Sequence, residues 1–351
     1  MRRALRLARR GWGRTAPNPL VGAVVVRDGQ VVAEGWHARF GGPHAEADAL
    51  AKAGEAARGA DVYVTLEPCN HHGKTPPCAQ ALIAAGVRRV IVAVRDPNPV
   101  AQGGIATLRA AGIAVTEGVE TAAGAELNAP FLFTHADPTR PFVTLKLALS
   151  LDGALAPGDR RQRWLTGQPA RRHVHALRAG ADAVAVGMGT ALADDPALTV
   201  RHGRRPRVAP ARVVFDAHGR LPRDSTLVRT ARETPTWVVG GAIPAEAGGA
   251  LEAAGVRLLR QDGLAAQLRA LREAGVRHLF CEGGAGLAGA LLGHGFVDRL
   301  IIFQAPVLLG AGALPAFGSV SMGQGAPEHW RVVARREFGD DLMTTYAPVG
   351  R

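Results

Sequence analysis

Short apolar runs alternate with polar punctuation along the whole chain. Their spacing predicts strands and helices in α/β order. Residues 21–26 and 30–34 are β-rich runs flanking Asp28-Gly29, which predicts a hairpin with a two-residue turn. Residues 44–53 read as a helix, with His44 and Glu46 in its first turn. Residues 62–66 read as a buried strand, 78–85 as a helix closed by Gly86, and 90–94 as another strand. Asp137-Pro138-Thr139-Arg140-Pro141 predicts a linker. A second α/β series follows. Its predicted strands are 142–149, 183–186, 212–215, 236–239, 278–281 and 300–303, with a helix over 170–179. Antiparallel strands around Val332 and over 343–346 end it. No short repeat is present, and compositional bias is limited to Ala and Arg.

A length of 351 residues suits two domains, and 47% hydrophobic content supports full cores. No apolar run approaches the ~20 residues of a membrane span. The basic N-terminus lacks the apolar stretch of a signal peptide. Three cysteines argue against a disulfide framework and for a cytoplasmic protein. The net charge of +12 raises a nucleic-acid reading. Its arginines are scattered, however, and aromatics at 5% leave little for base stacking. Neither a nucleic-acid nor a membrane partner is expected. Phosphate on a small substrate is the better use for a few arginines.

The chemistry concentrates in Pro43-His44-Ala45-Glu46 and in Glu67-Pro68-Cys69 to Pro76-Pro77-Cys78. One imidazole and two thiols can fill three positions of a tetrahedral zinc ion and leave the fourth for water. Zinc lowers the pKa of such water to about 7. Glu46, two residues after the His, can shuttle the proton from water to a ring nitrogen and then to departing ammonia. That set is the signature of zinc-dependent deamination of a pyrimidine-like ring. The spacing departs from the usual Cys-x-x-Cys, since eight residues separate Cys69 and Cys78.

A second constellation is Cys281-Glu282-Gly283-Gly284 followed by an apolar helix, where backbone N–H groups can meet a phosphate. Lys146 interrupts an apolar strand, and Asp194-Asp195 is expected at the end of another. Strand ends are where α/β domains bind ligands.

Together these motifs resemble the bifunctional deaminase–reductase family of riboflavin biosynthesis, essentially end to end. The likeness rests on Pro17-Asn18-Pro19-Leu20-Val21-Gly22, His44-Ala45-Glu46, Glu67-Pro68-Cys69, Gly73-Lys74-Thr75-Pro76-Pro77-Cys78 and Asp96-Pro97-Asn98-Pro99. It continues through Ser150-Leu151-Asp152-Gly153, Trp164-Leu165-Thr166-Gly167, Ala193-Asp194-Asp195-Pro196, Glu282-Gly283-Gly284 and Ala305-Pro306-Val307-Leu308-Leu309-Gly310. The resemblance implies a cytidine-deaminase-like three-layer α/β/α domain over residues 1–140. A dihydrofolate-reductase-like α/β domain would follow over 141–351. It implies deamination of 2,5-diamino-6-(5-phosphoribosylamino)pyrimidin-4(3H)-one, then NADPH-dependent reduction of the ribosyl group to ribityl.

Carried over by position, His44, Cys69 and Cys78 would hold one Zn2+ per chain, with Glu46 as proton shuttle. Asn18, His71 and Lys74 would line the deaminase pocket. Lys146 and Asp194 would stand nearest the reductase chemistry. Ala148, Trp164, Thr190, Asp194, Gly284, Ala285, Gly286, Leu287, Ala288, Gly289 and Ala290 would contact NADPH. Gln162, Arg178, Leu198, Arg201 and Glu282 would contact the phosphorylated pyrimidine substrate, and Arg178 and Arg201 suit its phosphate. A homo-oligomer is expected. Gln162, Ala217 and Ala16 each replace a Ser usual in the family. The competing readings are an RNA or tRNA base deaminase with an accessory binding domain, and a deaminase with a non-catalytic reductase-like module.

Overall fold

Asp28 and Gly29 take positive φ angles of 50° and 77°, the backbone a type I′ turn requires. They join β1 (Gly22–Arg27) to β2 (Gln30–Trp36), with Arg27 opposite Gln30. The computed structural model describes residues 1–73, 76–158, 164–317 and 329–350. β1 also pairs antiparallel with β3 (Asp61–Val64), beyond which β4 (Arg89–Val92) and β5 (Ala114–Glu117) continue in parallel. The order is β2-β1-β3-β4-β5.

Alternate residues of β1 serve two layers. Ala23 and Val25 join a core with Ala45, Ala49, Ala79 and Leu82, whereas Val24 packs against Ala4 and Leu7. The first set of partners lies on α2 (Ala45–Ala53) and α3 (Cys78–Ala84), the second on α1 (Arg2–Ala8). Helices therefore cover both faces, as a three-layer domain demands. α4 (Gly104–Ala110), α5 (Thr121–Leu127) and α6 (Ala129–Ala136) complete a compact unit of Met1–Pro138 with Pro206–Val208.

α2 presses closely on the sheet. A Cβ on Gly35 would stand 2.3 Å from the Ala45 carbonyl oxygen and 2.4 Å from the Ala49 nitrogen. Gly35→Ala must therefore push away the helix that follows His44 and carries Glu46. The expected cost is about 1–3 kcal/mol, as for other overpacked cores, together with a lower zinc content. A variant that melts like wild type and holds as much metal would show that the helix is not so constrained.

The second unit, Thr139–Arg205 with Ala209–Arg351, is built on a nine-stranded sheet. Its strands are β6 (Phe142–Leu149), β8 (Ala183–Gly187), β9 (Ala211–Phe215), β10 (Thr236–Val239), β11 (Arg257–Leu259), β12 (His278–Cys281), β13 (Arg299–Gln304), β15 (Trp330–Phe338) and β16 (Asp341–Pro348). β7 (Ala154–Ala156) and β14 (Leu314–Pro315) form a separate ribbon. The order is β11-β10-β9-β8-β12-β6-β13-β16-β15. It is parallel from β11 to β13, and β16 and β15 add antiparallel pairings. α7 (Gln168–Arg178), α8 (Met188–Asp194), α9 (Thr226–Arg229), α10 (Ala245–Ala253), α11 (Leu264–Glu273) and α12 (Ala285–Gly293) connect the strands. Along β6 the odd residues Val143, Leu145 and Leu147 enter one core, and Ala148 packs on the other. Lys146 shares the Ala148 face of a central strand, not an edge.

Asp194 and Asp195, expected at a strand end, instead close a helix. β8 stops at Gly187, which caps α8 with an extended backbone. Ala191, Leu192 and Ala193 are strong helix formers, and they carry the chain one helix further before Asp194. No helix among the described residues is long and apolar enough to cross a membrane.

Candidate active sites

His44 is the N-cap of α2, and Cys78 opens α3. Two helix starts thus bring their first residues to Cys69, in the loop after β3. His44 Nδ1 lies 3.4 Å from Cys69 Sγ and 3.3 Å from Cys78 Sγ. All three donor atoms fall within 4.8 Å of one another. Zinc bonded at about 2.3 Å to sulfur and about 2.0 Å to nitrogen, with tetrahedral angles, sets such separations at about 3.6 Å. The donor set fits that ion. The Cys78 N–H donates to Cys69 Sγ at 3.4 Å. Hydrogen bonds from the Cys78 thiol and from His44 pull the Cys69 thiol down to about 4. The Cys78 thiol is pushed up, because its proton serves Cys69 and because it is buried. Of the two thiols, Cys69 is therefore the one that gives up its proton more readily.

Glu46 is 3% exposed. Burial first, and the nearby Cys69 thiolate next, push its carboxyl up to about 7. A carboxyl poised there can both take and return a proton at neutral pH. The Asn18 amide lies 3.2 Å from His37 Nε2, and His37 Nδ1 lies 2.9 Å from the Pro43 carbonyl oxygen. The carbonyl requires a proton on Nδ1, so Nε2 accepts from the Asn18 NH₂ group, and the amide orientation follows. The buried His71 Nδ1 has no hydrogen-bond partner among the described residues. Lys74 lies outside them.

Several polar residues around this site were given no role in the sequence reading. Glu67 is buried and accepts hydrogen bonds from the backbone N–H groups of Asp96, Gly103 and Ile105 at 3.2, 3.0 and 3.1 Å. It thereby ties the start of α4 to the Cys69 loop. Asp96 is buried too, and burial pushes its carboxyl up to about 6. His37, seven residues before His44, carries no distinguishing signal in sequence.

In the second unit, Gly284 caps α12, and no side chain caps that helix start. Its free N–H groups suit a phosphate. A Cβ on Gly286 or Gly189 would meet nothing within 4 Å, whereas one on Gly284 would stand 2.9 Å from Thr190 Oγ1. The glycine turn thus opens on free space beside Thr190, a shape that fits the pyrophosphate of a nicotinamide cofactor. Ala285, Gly286 and Leu287 form its first turn. Gly289 and Ala288 are buried, and Ala288 belongs to the core. Ala290 is half-buried.

Lys146, Arg178 and Glu282 come together. Arg178 grips Glu282 through Nε and through Nη2, the latter at 3.0 Å. Both side chains are 12% exposed. Burial alone would raise the Glu282 carboxyl, but Arg178 and Lys146 hold it below its ordinary range. Burial pulls the Lys146 ammonium down, against the attraction of Glu282. Leu198 is buried with φ 50°. Arg201 is exposed, as is Asp194 at the end of α8. Ala148 follows Lys146 by two residues on the same strand face. Trp164 is 55% exposed, with the Arg171 guanidinium 5.3 Å from its ring centroid. Gln162 lies outside the described residues.

Comparison with known proteins covers both units. The model of the cytidine and deoxycytidylate deaminase zinc-binding region matches residues 1–94, and that of the RibD C-terminal domain matches 141–344. The chain is 43% identical over 315 residues to the riboflavin biosynthesis protein RibD of Aquifex aeolicus, covering 89% of this chain and 87% of that one. A solved structure of Acinetobacter baumannii RibD superposes with a TM-score of 0.84 at 38% identity, covering 99% of this chain and 97% of the other. The diaminohydroxyphosphoribosylaminopyrimidine deaminase/5-amino-6-(5-phosphoribosylamino)uracil reductase of Thermotoga maritima gives 0.84 at 35%, with the same coverage. Identity at this level over nearly the whole length, with a zinc-binding deaminase region ahead of a reductase domain, means that the chain belongs to the RibD family of bifunctional riboflavin-biosynthesis deaminase–reductases.

Proposed function

We propose that residues 1–140 deaminate 2,5-diamino-6-(5-phosphoribosylamino)pyrimidin-4(3H)-one and that residues 141–351 reduce the ribosyl group of the product with NADPH. The observation that carries this reading is the convergence of His44, Cys69 and Cys78 beside the buried Glu46. His44, Cys69 and Cys78 would hold zinc, which when bound makes water acidic enough to attack near neutral pH. Glu46 takes one proton from the attacking water and passes it to the ring nitrogen, then takes the second from the hydroxyl left on the ring carbon and gives it to the amino group, which departs as ammonia. Asn18 and His71 orient the ring from the pocket wall.

In the second unit, the α12 start and Thr190 would seat NADPH, whose chemistry is hydride delivery to the ribosyl carbon. Lys146 can supply the proton that the ribosyl ring oxygen needs as that ring opens. Its lowered pKa suits proton donation, and Glu282 keeps it charged until then. Arg201 reaches for the phosphate.

The test uses full-length protein given the diamino substrate, with ammonia release, NADPH oxidation and zinc per chain all measured. One zinc per chain is expected. Chelation should abolish ammonia release yet leave reduction of the separately supplied aminouracil intact. Undiminished deamination by metal-free protein would overturn the reading.

A further inference from the structure

His175 and Arg178 stand three residues apart on α7, on one face of the helix. Both reach the loop over residues 199–201. Arg178 Nη1 donates to the Thr199 carbonyl oxygen at 2.9 Å. His175 Nδ1 lies 3.1 Å from that oxygen and 3.2 Å from the Arg201 backbone nitrogen. The ring is 6% exposed. A ring nitrogen donates or accepts, and never does both at once. The Arg201 N–H is a donor fixed by the backbone and directed at Nδ1, which leaves the Thr199 oxygen to Arg178. Nδ1 therefore accepts from Arg201, and the proton sits on Nε2. Burial, with Arg178, Arg201 and His202 nearby, pulls the imidazole down to about 4, so the ring stays neutral at ordinary pH.

The loop needs such a hold. It turns through Leu198, whose positive φ is a backbone region that L residues seldom adopt. Arg178 is also engaged: Nε and Nη2 serve Glu282, and Nη1 serves Thr199. The exposed Arg201 guanidinium makes no hydrogen bond or ion pair among the described residues, so it is the cation at hand for a ligand.

We propose that His175 is a positioning residue of the reductase, which anchors the Arg201 backbone and so aims its guanidinium at the substrate phosphate. This rests on the reading of the second unit given above.

The test compares the phosphorylated aminouracil substrate with its dephosphorylated form, using the full-length, zinc-loaded enzyme with NADPH. His175→Leu should raise KM for the phosphorylated substrate about tenfold with kcat little changed, and leave KM for the dephosphorylated one unaltered. His175→Asn, which keeps an acceptor near the Nδ1 position, should recover most of the loss. NADPH affinity, read by fluorescence, should not move in either variant. Arg201→Ala should show the same phosphate-dependent loss. If it does and His175→Leu does not, or if His175→Leu impairs both substrates alike, the positioning role is wrong. If Arg201→Ala treats both substrates alike, the phosphate assignment beneath the inference fails instead.

Discussion

Glu46→Gln lowers deamination by about 10²–10⁴-fold, the usual worth of a positioned proton shuttle, and leaves zinc in place. The amide keeps the size of the carboxyl but cannot take a proton from water. Glu46 is not among the three converging donors, so the metal content should stay at one per chain. The side chain is 3% exposed, and no solvent-borne base reaches the same point. Reduction of the aminouracil supplied directly should be unaffected, because Glu46 belongs to the first unit alone. Ammonia release, zinc analysis and NADPH oxidation check the three statements. Deamination at the wild-type rate would remove Glu46 from the mechanism.

Glu282→Ala should be the most damaging change in the second unit. It strands the Arg178 guanidinium, 12% exposed, without its carboxylate, and it takes away the anion that faces Lys146. Breaking such a buried pair from one side costs about 3–5 kcal/mol. In a unit of this size that amounts to a melting drop of roughly 6–20 °C. The pH dependence has a definite sign. The folded carboxyl titrates below its ordinary value. Its contribution is therefore complete above the unfolded pKa of about 4.3 and fades as pH falls through the folded value. The gap in melting temperature between wild type and Glu282→Gln should be constant near neutrality and should close at low pH. Melting curves from pH 7 down to pH 3 decide it, and a gap indifferent to acid would mean that the ion pair is not what stabilises this site.

The zinc donors were legible in sequence because a metal tolerates few residue types. His44 and Cys78 also fall at predicted helix starts and Cys69 just beyond a predicted strand, where the structure puts them. Six strands of the parallel sheet were equally plain, since burial on both faces leaves continuous apolar runs, but the short edge strand β11, which begins at the exposed Arg257, was not predicted. α8 was hidden behind Gly187 and Gly189, whose low helix propensity masks the good formers after them. His175 was invisible for another reason. A lone His on a helix acquires its role only from Thr199 and Arg201, which no local pattern links to it. Arg212 makes the same point. It looks like one more arginine of a basic chain, yet it is 1% exposed and donates to Thr230 Oγ1, Thr236 Oγ1 and the carbonyl oxygens of Leu227 and Thr234. Its partners lie at Ala197 and over residues 227–236, so only the fold could reveal that it is a core residue.

The placing of β12 bears on how this protein is made. That strand lies between β6 and β8, with His278 opposite Phe142 and Leu279 opposite Ala183. A growing chain that has reached β11 therefore holds β6 on one side and the β8 to β11 sheet on the other, with nothing to join them. Pairing across so long a loop is slow. Until residue 281 leaves the ribosome, the facing edges of β6 and β8 offer open hydrogen-bonding rows to any other nascent strand. The reductase half is thus at greatest risk of aggregation during synthesis, well after the sheet of the deaminase half has been completed.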